Sequence, residues 1–275
     1  MFTLNAKGNL LAVNRPLVMG ILNRAPDSFY SGSRFPDDAE FLARAGKMIE
    51  DGADCLDIGG QSTRPGAELI GAETELTRVV DGIHLLHSRW PGIPLSVDTW
   101  YARVAKEAVA AGASIVNDIS GGRLDPEMLD TVASLKVPYV CMHMKGTPAT
   151  MHQDAVYDDV VKEVLDYFIG RIEDCRAAGI NDIIVDPGFG FAKDRAHNWK
   201  LLRNLKLFRI PGRPILLGVS RKSTIYRTLG ITPEEALNGS TVLHTLGLLN
   251  GADILRVHDP KEAREAITLL AAYSQ

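Results

Sequence analysis

The sequence has no uninterrupted apolar run near the roughly 18 residues that a membrane-spanning helix needs. Its N-terminus, MFTLNAKGNLLAV, lacks the basic start and continuous apolar core of a secretion signal. The expected location is therefore the cytoplasm. Cysteine is scarce: Cys55, Cys141 and Cys175 are the three in 275 residues, and none forms a C-x-x-C pair. That argues against a disulfide framework or a zinc site and fits a reducing compartment. Two of the three lie in apolar runs (CLDI and YVCM), where cysteine behaves as a small buried hydrophobe. Excess positive charge is also missing. Lys and Arg number 30 against 34 Asp and Glu, a formal net charge of −4, with no basic block or acidic tail. Nucleic-acid binding needs clustered cations to neutralise phosphates, so it is disfavoured. No linker or low-complexity stretch interrupts the chain, which reads as one domain over 1–275.

What is there is an alternation. Eight short runs rich in Val, Ile and Leu recur: LVMGIL (17–22), CLDIG (55–59), PLSVD (94–98), SIVND (114–118), PYVCMH (138–143), DIIVD (182–186), PILLGVS (214–220) and ADILRVH (252–258). They lack strict polar alternation, as parallel strands buried on both faces do. Between and after them, residues 37–51, 72–90, 100–111, 125–135, 157–178, 197–207, 233–250 and 260–273 carry apolar residues at helical spacing. Several of these segments stop at glycine, as in EDGADCLDI and AAGINDIIVD. Eight βα units in a chain close to the ~250 residues typical of the fold predict an α/β class (β/α)8 TIM barrel. An open doubly wound sheet is the alternative. Residues 1–14 fall outside the repeat and predict an N-terminal β-hairpin that plugs the bottom of the barrel.

Every predicted strand ends in polar groups, at the face where barrel enzymes do their chemistry. Asp57, Asp98, Asn117 and Asp186 offer acceptors, which suit a flat heterocycle bearing several N–H donors. Arg64, Lys222, Arg256 and His258 offer cationic donors, which suit a phosphate or diphosphate. Asn23 offers an oxygen for Mg2+, an ion that works beside substrate phosphates with few protein ligands. The segments 23–36 and 59–71 are long for loops of a compact domain and read as lids over the substrate. Of the adjacent cations Arg221 and Lys222, one is expected to be structural. His143 is expected to be a hydrogen-bonded structural histidine, and His84, His87, His152, His197 and His244 to be surface or helix residues.

The segments GILNRAPDSF (20–29), DIGGQSTRPGA (57–67), SVDT (96–99), NDIS (117–120), MHMKGTP (142–148), DPGFGFAK (186–193), GVSRKS (218–223) and RVHD (256–259), in this order, resemble the dihydropteroate synthase family. The resemblance covers nearly the whole chain. It implies a transferase of folate biosynthesis that joins 6-hydroxymethyl-7,8-dihydropterin diphosphate to 4-aminobenzoate, yielding 7,8-dihydropteroate and diphosphate. It implies that Asp98, Asn117, Asp186 and Lys222 hold the pterin, with Met142 and Phe191 near its faces. It implies that Asn23, Arg64, Arg256 and His258 hold the diphosphate, Asn23 beside Mg2+, and that Thr63, Pro65 and Ser223 help form the aminobenzoate site. Asp98, Asp186, Lys222 and Arg64 are the implied catalytic set. A homodimer through the last helices and sensitivity to sulfonamides, which mimic aminobenzoate, are further implications. The family pattern differs here at Ala25 and Ser31 in the first long loop, at Gln61, and at Ala192, where glycine is common. Two alternatives are a non-condensing pterin-binding paralogue and a methyltetrahydrofolate-binding methyltransferase domain.

Overall fold

Eight of the ten strands pair in parallel, side by side, as their continuous apolar runs require. The computed structural model describes residues 2–24, 38–61, 69–151 and 153–274. A hairpin of β1 (Phe2–Ala6) and β2 (Asn9–Val13) comes first. The parallel strands are β3 (Leu17–Asn23), β4 (Cys55–Gly59), β5 (Leu95–Asp98), β6 (Ile115–Asp118), β7 (Tyr139–Met142), β8 (Ile183–Asp186), β9 (Leu216–Leu217) and β10 (Ile254–Val257). They lie in the order β8-β7-β6-β5-β4-β3-β10-β9. A parallel bridge between Val185 and Ile215 joins the two ends, with the Val185 N–H donating to the Pro214 carbonyl at 3.0 Å. The sheet is thus a closed eight-stranded barrel, as the repeat count predicts.

The helices follow the strands: α1 (Asp38–Glu50), α2 (Ala72–Arg89), α3 (Ala102–Ala111), α4 (Met128–Leu135), α5 (Val160–Ala178), α6 (Arg195–Arg203), α7 (Ser223–Leu229), α8 (Leu237–Leu249) and α9 (Pro260–Tyr273). Their ends carry the expected chemistry. The Asp159 carboxylate caps α5 by accepting from the Val161 and Lys162 N–H groups, and Gly179, at φ 100°, ends it in the left-handed conformation. Two details depart from the sequence reading. The run 214–220 supplies only Leu216–Leu217 as regular strand, and α7, directly after it, falls in none of the eight periodic segments. Seven residues are too few to show a helical period.

The barrel interior is layered. Met19, Cys55, Ile115, Val140, Ile184, Leu216 and Ile254 form a dry lower layer, which Leu4 and Val13 of the hairpin cover. The hairpin is fastened there: the Asn5 N–H donates to Asp182 at 2.9 Å, and Lys7 Nζ donates to the Val109 carbonyl at 2.8 Å. Side chains two residues apart on a strand share a face. One layer above Cys55, Ser96, Ile115, Val140, Ile184 and Ile254 therefore come Asp57, Asp98, Asn117, Met142, Asp186 and Arg256. The same period that makes the plugged bottom apolar delivers the polar residues to the mouth.

Candidate active site

Asp57 is the hub of the upper layer. It is fully buried, and its Oδ2 accepts from Arg256 Nε at 2.6 Å and from Asn117 Nδ2 at 3.0 Å. Arg256 Nη2 also donates to Asp98 Oδ2 at 2.6 Å. Arg256 thus bridges two carboxylates from adjacent strands; burial works against its charge, and the Asp57 and Asp98 carboxylates outweigh that effect and raise its pKa. Asp57 Oδ1 has no hydrogen-bond partner among the described residues. Asp98 stands in register with both Gly59 and Asn117. Burial, opposed by Arg256 and aided by the Asp57 charge, pushes its carboxyl up to about 7.

Across the mouth stand Asp186 and Lys222. Asp186 Oδ1 accepts from the Gly188 N–H at 2.8 Å, and burial raises its pKa against the opposing pull of Lys222. Lys222 Nζ donates to the Phe189 carbonyl at 2.6 Å and lies 4.8 Å from the centre of the Phe191 ring. Burial lowers its pKa to about 8. A Cβ on Gly218 would stand 3.6 Å from Lys222 Nζ and 3.9 Å from Asp186 Oδ2, so the bare glycine leaves room beside both groups. Trp100, Ile119, Met142 and Phe191 belong to one apolar cluster at this level. Acceptor, donor and apolar wall together can hold a flat ring with a hydrogen-bonding edge.

The anion side differs from its sequence reading in two respects. Arg256, expected to be a free cation for diphosphate, is engaged with Asp57 and Asp98, because it shares the inward face of β10 with Ile254 and points across the barrel. His258, expected to be cationic, is held neutral: burial and the neighbouring Arg256 lower its pKa to about 4. Ser220 Oγ accepts the His258 backbone N–H at 3.2 Å and lies 3.1 Å from Nδ1. A serine hydroxyl can donate to Nδ1 or accept from it, so neutral His258 offers the mouth a ring nitrogen and no positive charge. Asn23, half-buried at the end of β3, faces the same space as Asp98. A Cβ on Gly59 would lie 3.1 Å from Asn23 Oδ1 and 3.7 Å from Asp98 Oδ2. One amide oxygen beside room for phosphate oxygens fits Mg2+. Among the described residues, no three His, Cys, Asp or Glu side chains cluster as a protein metal cage. Thr63, Arg64 and Pro65, and the departures Ala25 and Ser31, lie outside the described residues, as does most of both long loops. Ser223 opens α7 beside Lys222.

Several side chains outside the site are also placed. Arg221 forms a two-point ion pair with Asp259 at 2.8 and 2.9 Å and donates to the Pro233 and Glu234 carbonyls. It packs, and Lys222 faces the mouth. His143 is buried and bonded to Lys193. His84 and His87 are exposed, whereas His244 is buried on α8, so its helical placement does not make it a surface residue. The sequence reading gave Asp57 an acceptor's role without seeing it as the hub, and it did not single out Trp100 or Ile119. Only barrel closure brings Asp57 to Arg256, 199 residues later.

Residues 19–258 match the family described as pterin binding enzyme. This chain belongs to the dihydropteroate synthase family of pterin-binding enzymes. It is 41% identical over 269 residues to dihydropteroate synthase of Escherichia coli K12, covering 97% of this chain and 95% of that one. The Bacillus subtilis dihydropteroate synthase is 41% identical over 260 residues, covering 94% and 88%. Among solved structures, Xanthomonas albilineans dihydropteroate synthase with 4-aminobenzoic acid superposes at a TM-score of 0.92, with 42% identity over 99% of this chain and 98% of that one. The Yersinia pestis enzyme in a sulfonamide drug complex superposes at 0.93, with 40% identity over 99% of each chain.

Proposed function

We propose that this chain condenses 6-hydroxymethyl-7,8-dihydropterin diphosphate with 4-aminobenzoate to give 7,8-dihydropteroate and diphosphate, a transferase step of folate biosynthesis. The observation that carries this reading is the convergence of Asp98, Asn117, Asp186 and Lys222 at the barrel mouth, beside Met142 and Phe191, in a chain of this family. The guanidine-like edge of a pterin suits a buried carboxylate that can accept two hydrogen bonds, the place we assign to Asp186. Lys222 donates to the acceptor side of the ring.

In the reaction, the bond between the exocyclic methylene and the diphosphate oxygen breaks, and diphosphate leaves with the electron pair. The aniline nitrogen then bonds to the methylene and releases a proton. We propose a dissociative order, with the cationic methylene stabilised by the pterin ring and the Asp98 carboxylate. The aniline is already neutral at pH 7, so no strong general base is needed. His258, Arg256 and Arg64 serve the diphosphate, while Thr63, Pro65 and Ser223 serve aminobenzoate, the place a sulfonamide would contest. Mg2+, held by the Asn23 amide oxygen, would supply positive charge beside the leaving group. Positional isotope exchange in labelled substrate without aminobenzoate tests the order: scrambling is expected, and its absence despite fast rebinding would favour concerted displacement.

The outer face of α8 and α9 exposes Val242, Leu246, Leu249, Leu269 and Tyr273, and the last three line a groove of about 530 Å³. An apolar surface of this kind supports a homodimer through these helices. No described helix is long and apolar enough to cross a membrane, and Cys55, Cys141 and Cys175 are free and buried. The cysteines support a reducing, cytoplasmic setting. The deciding assay is diphosphate release that depends on aminobenzoate. Tight pterin binding without release would mark a non-condensing paralogue, and turnover with methyl donors alone a methyltransferase.

A further inference from the structure

The loop from Asp186 to Lys193 leaves β8 and folds back over the end of β7. Gly188, at φ 70°, makes this crossing possible: a Cβ there would lie 2.0 Å from the His143 carbonyl oxygen. The loop is then tied from beneath. Lys193 is buried, with Nζ 3.0 Å from His143 Nδ1, 3.2 Å from the His143 carbonyl and 2.9 Å from the Phe191 carbonyl. The two carbonyls accept from Nζ, and the direction of the contact with Nδ1 follows the histidine tautomer. His143 is held neutral, its pKa lowered to about 2 chiefly by burial, so no second positive charge opposes the contact. Burial also drives the Lys193 amine well below its usual range, while Asp186 opposes that shift. The same loop presents to Lys222 both the Phe189 carbonyl and the Phe191 ring.

We infer that Lys193 is a positioning residue for the pterin half-site: by tying the 186–193 loop to His143, it fixes the Phe189 carbonyl and the Phe191 ring against Lys222. Lys193 touches neither substrate in this arrangement. Its effect reaches the reaction through Lys222. The inference rests on the proposed pterin chemistry, and its consequences are directional. Loosening the loop affects the pterin rather than aminobenzoate. It also admits water to Lys222, which relieves the burial that lowers its pKa and so raises it.

The test compares wild type with K193M and K193A in the complete chain. For K193M, the KM for the pterin diphosphate is expected to rise about tenfold or more, as small misplacements at a site do. The aminobenzoate KM should stay within about twofold, and the alkaline limb of kcat/KM should move up by about half a pH unit or more. Added propylammonium should partly restore the pterin KM of K193A, whereas tetramethylammonium, which cannot donate hydrogen bonds, should not. A folded K193M with the wild-type pterin KM and alkaline limb would overturn the inference. So would equal losses toward both substrates with an unmoved limb, the mark of a merely structural residue. If the lysine variants fail to fold, H143L removes the side-chain partner of the tie and should shift pterin KM and limb in the same directions; unchanged values there overturn the inference equally. Wild type without aminobenzoate-dependent diphosphate release would instead sink the functional reading. Calorimetry with 6-hydroxymethylpterin would still test Lys193, with weaker binding to K193M expected and equal binding contrary.

Discussion

The two ends of this barrel are built on the same strands and the same inward faces, yet they are chemical opposites. At the bottom, Cys55, Ile115, Ile184 and Ile254 meet one another and the hairpin residues Leu4 and Val13 in a layer without a charge. Two residues further on, the same faces carry Asp57, Asn117, Asp186 and Arg256, buried and bound to one another or to backbone groups. Stability at the bottom comes from apolar area removed from water and from close packing. At the top, buried charge is tolerated because each group has a partner, and it leaves acceptors such as Asp57 Oδ1 unmatched. A barrel built for stability alone would continue the lower pattern upward. The change of chemistry across one layer separates the part that holds the fold from the part that binds.

The strongest way to break this contrast is to remove the cation that makes the upper layer tolerable. Arg256→Met leaves Asp57 and Asp98 buried together without their shared partner. The expected loss is about 3–5 kcal/mol of stability, read as a lowered urea midpoint, along with loss of condensation activity. A variant as stable as wild type would show that the carboxylates do not need Arg256. The matching change below is Leu4→Ala, which opens a cavity under the plug. It should cost about 2–5 kcal/mol while leaving kcat/KM near wild type at temperatures where the protein stays folded. A large drop in kcat/KM for the folded variant would mean that the two ends are coupled.

Much of this architecture was legible because each layer follows local rules. Parallel strands covered by helices read as Val, Ile and Leu runs, glycine stops mark helix ends, and a period of two carries an inward face from Ile184 to Asp186. What depends on closure was not legible. Asp57 meets Asn117 and Arg256 across 60 and 199 residues of sequence, and His143 meets Lys193 across 50. The same period turns Arg256 inward, but no local pattern names Asp57 and Asp98 as its partners. Nor does a histidine at a strand end declare its charge; the neutral state of His258 follows from burial beside Arg256. The α7 helix escaped detection because seven residues hold barely two turns.

Two titrations sharpen the contrast from the polar side. Asp98 has a folded-state pKa near 7, raised mainly by burial, against an ordinary value of 3.8. Between those values the folded chain holds more of this proton than the unfolded chain, so Asp98 makes stability fall as pH rises through the window. Asp98→Asn should flatten that slope, by up to about 3 kcal/mol between pH 4 and 7, in urea midpoints measured across the range. An unchanged slope would assign the effect to another group.

The smallest effect belongs to Lys222, whose folded-state value is lowered to about 8. If its ammonium donates to the ring of the pterin, affinity should be flat below pH 8 and fall by up to about tenfold per pH unit above it. Calorimetric titration with 6-hydroxymethylpterin between pH 6 and 9.5 reads this directly, free of the condensation step. The bottom of the barrel offers a control: Leu4→Ala should reproduce the same curve, because the one titratable group in the layer it disturbs, the Cys55 thiol, is pushed up by burial out of this pH range. Affinity that holds constant to pH 9.5 would mean that Lys222 binds no better charged than neutral, and its assignment as the ring's donor would fail.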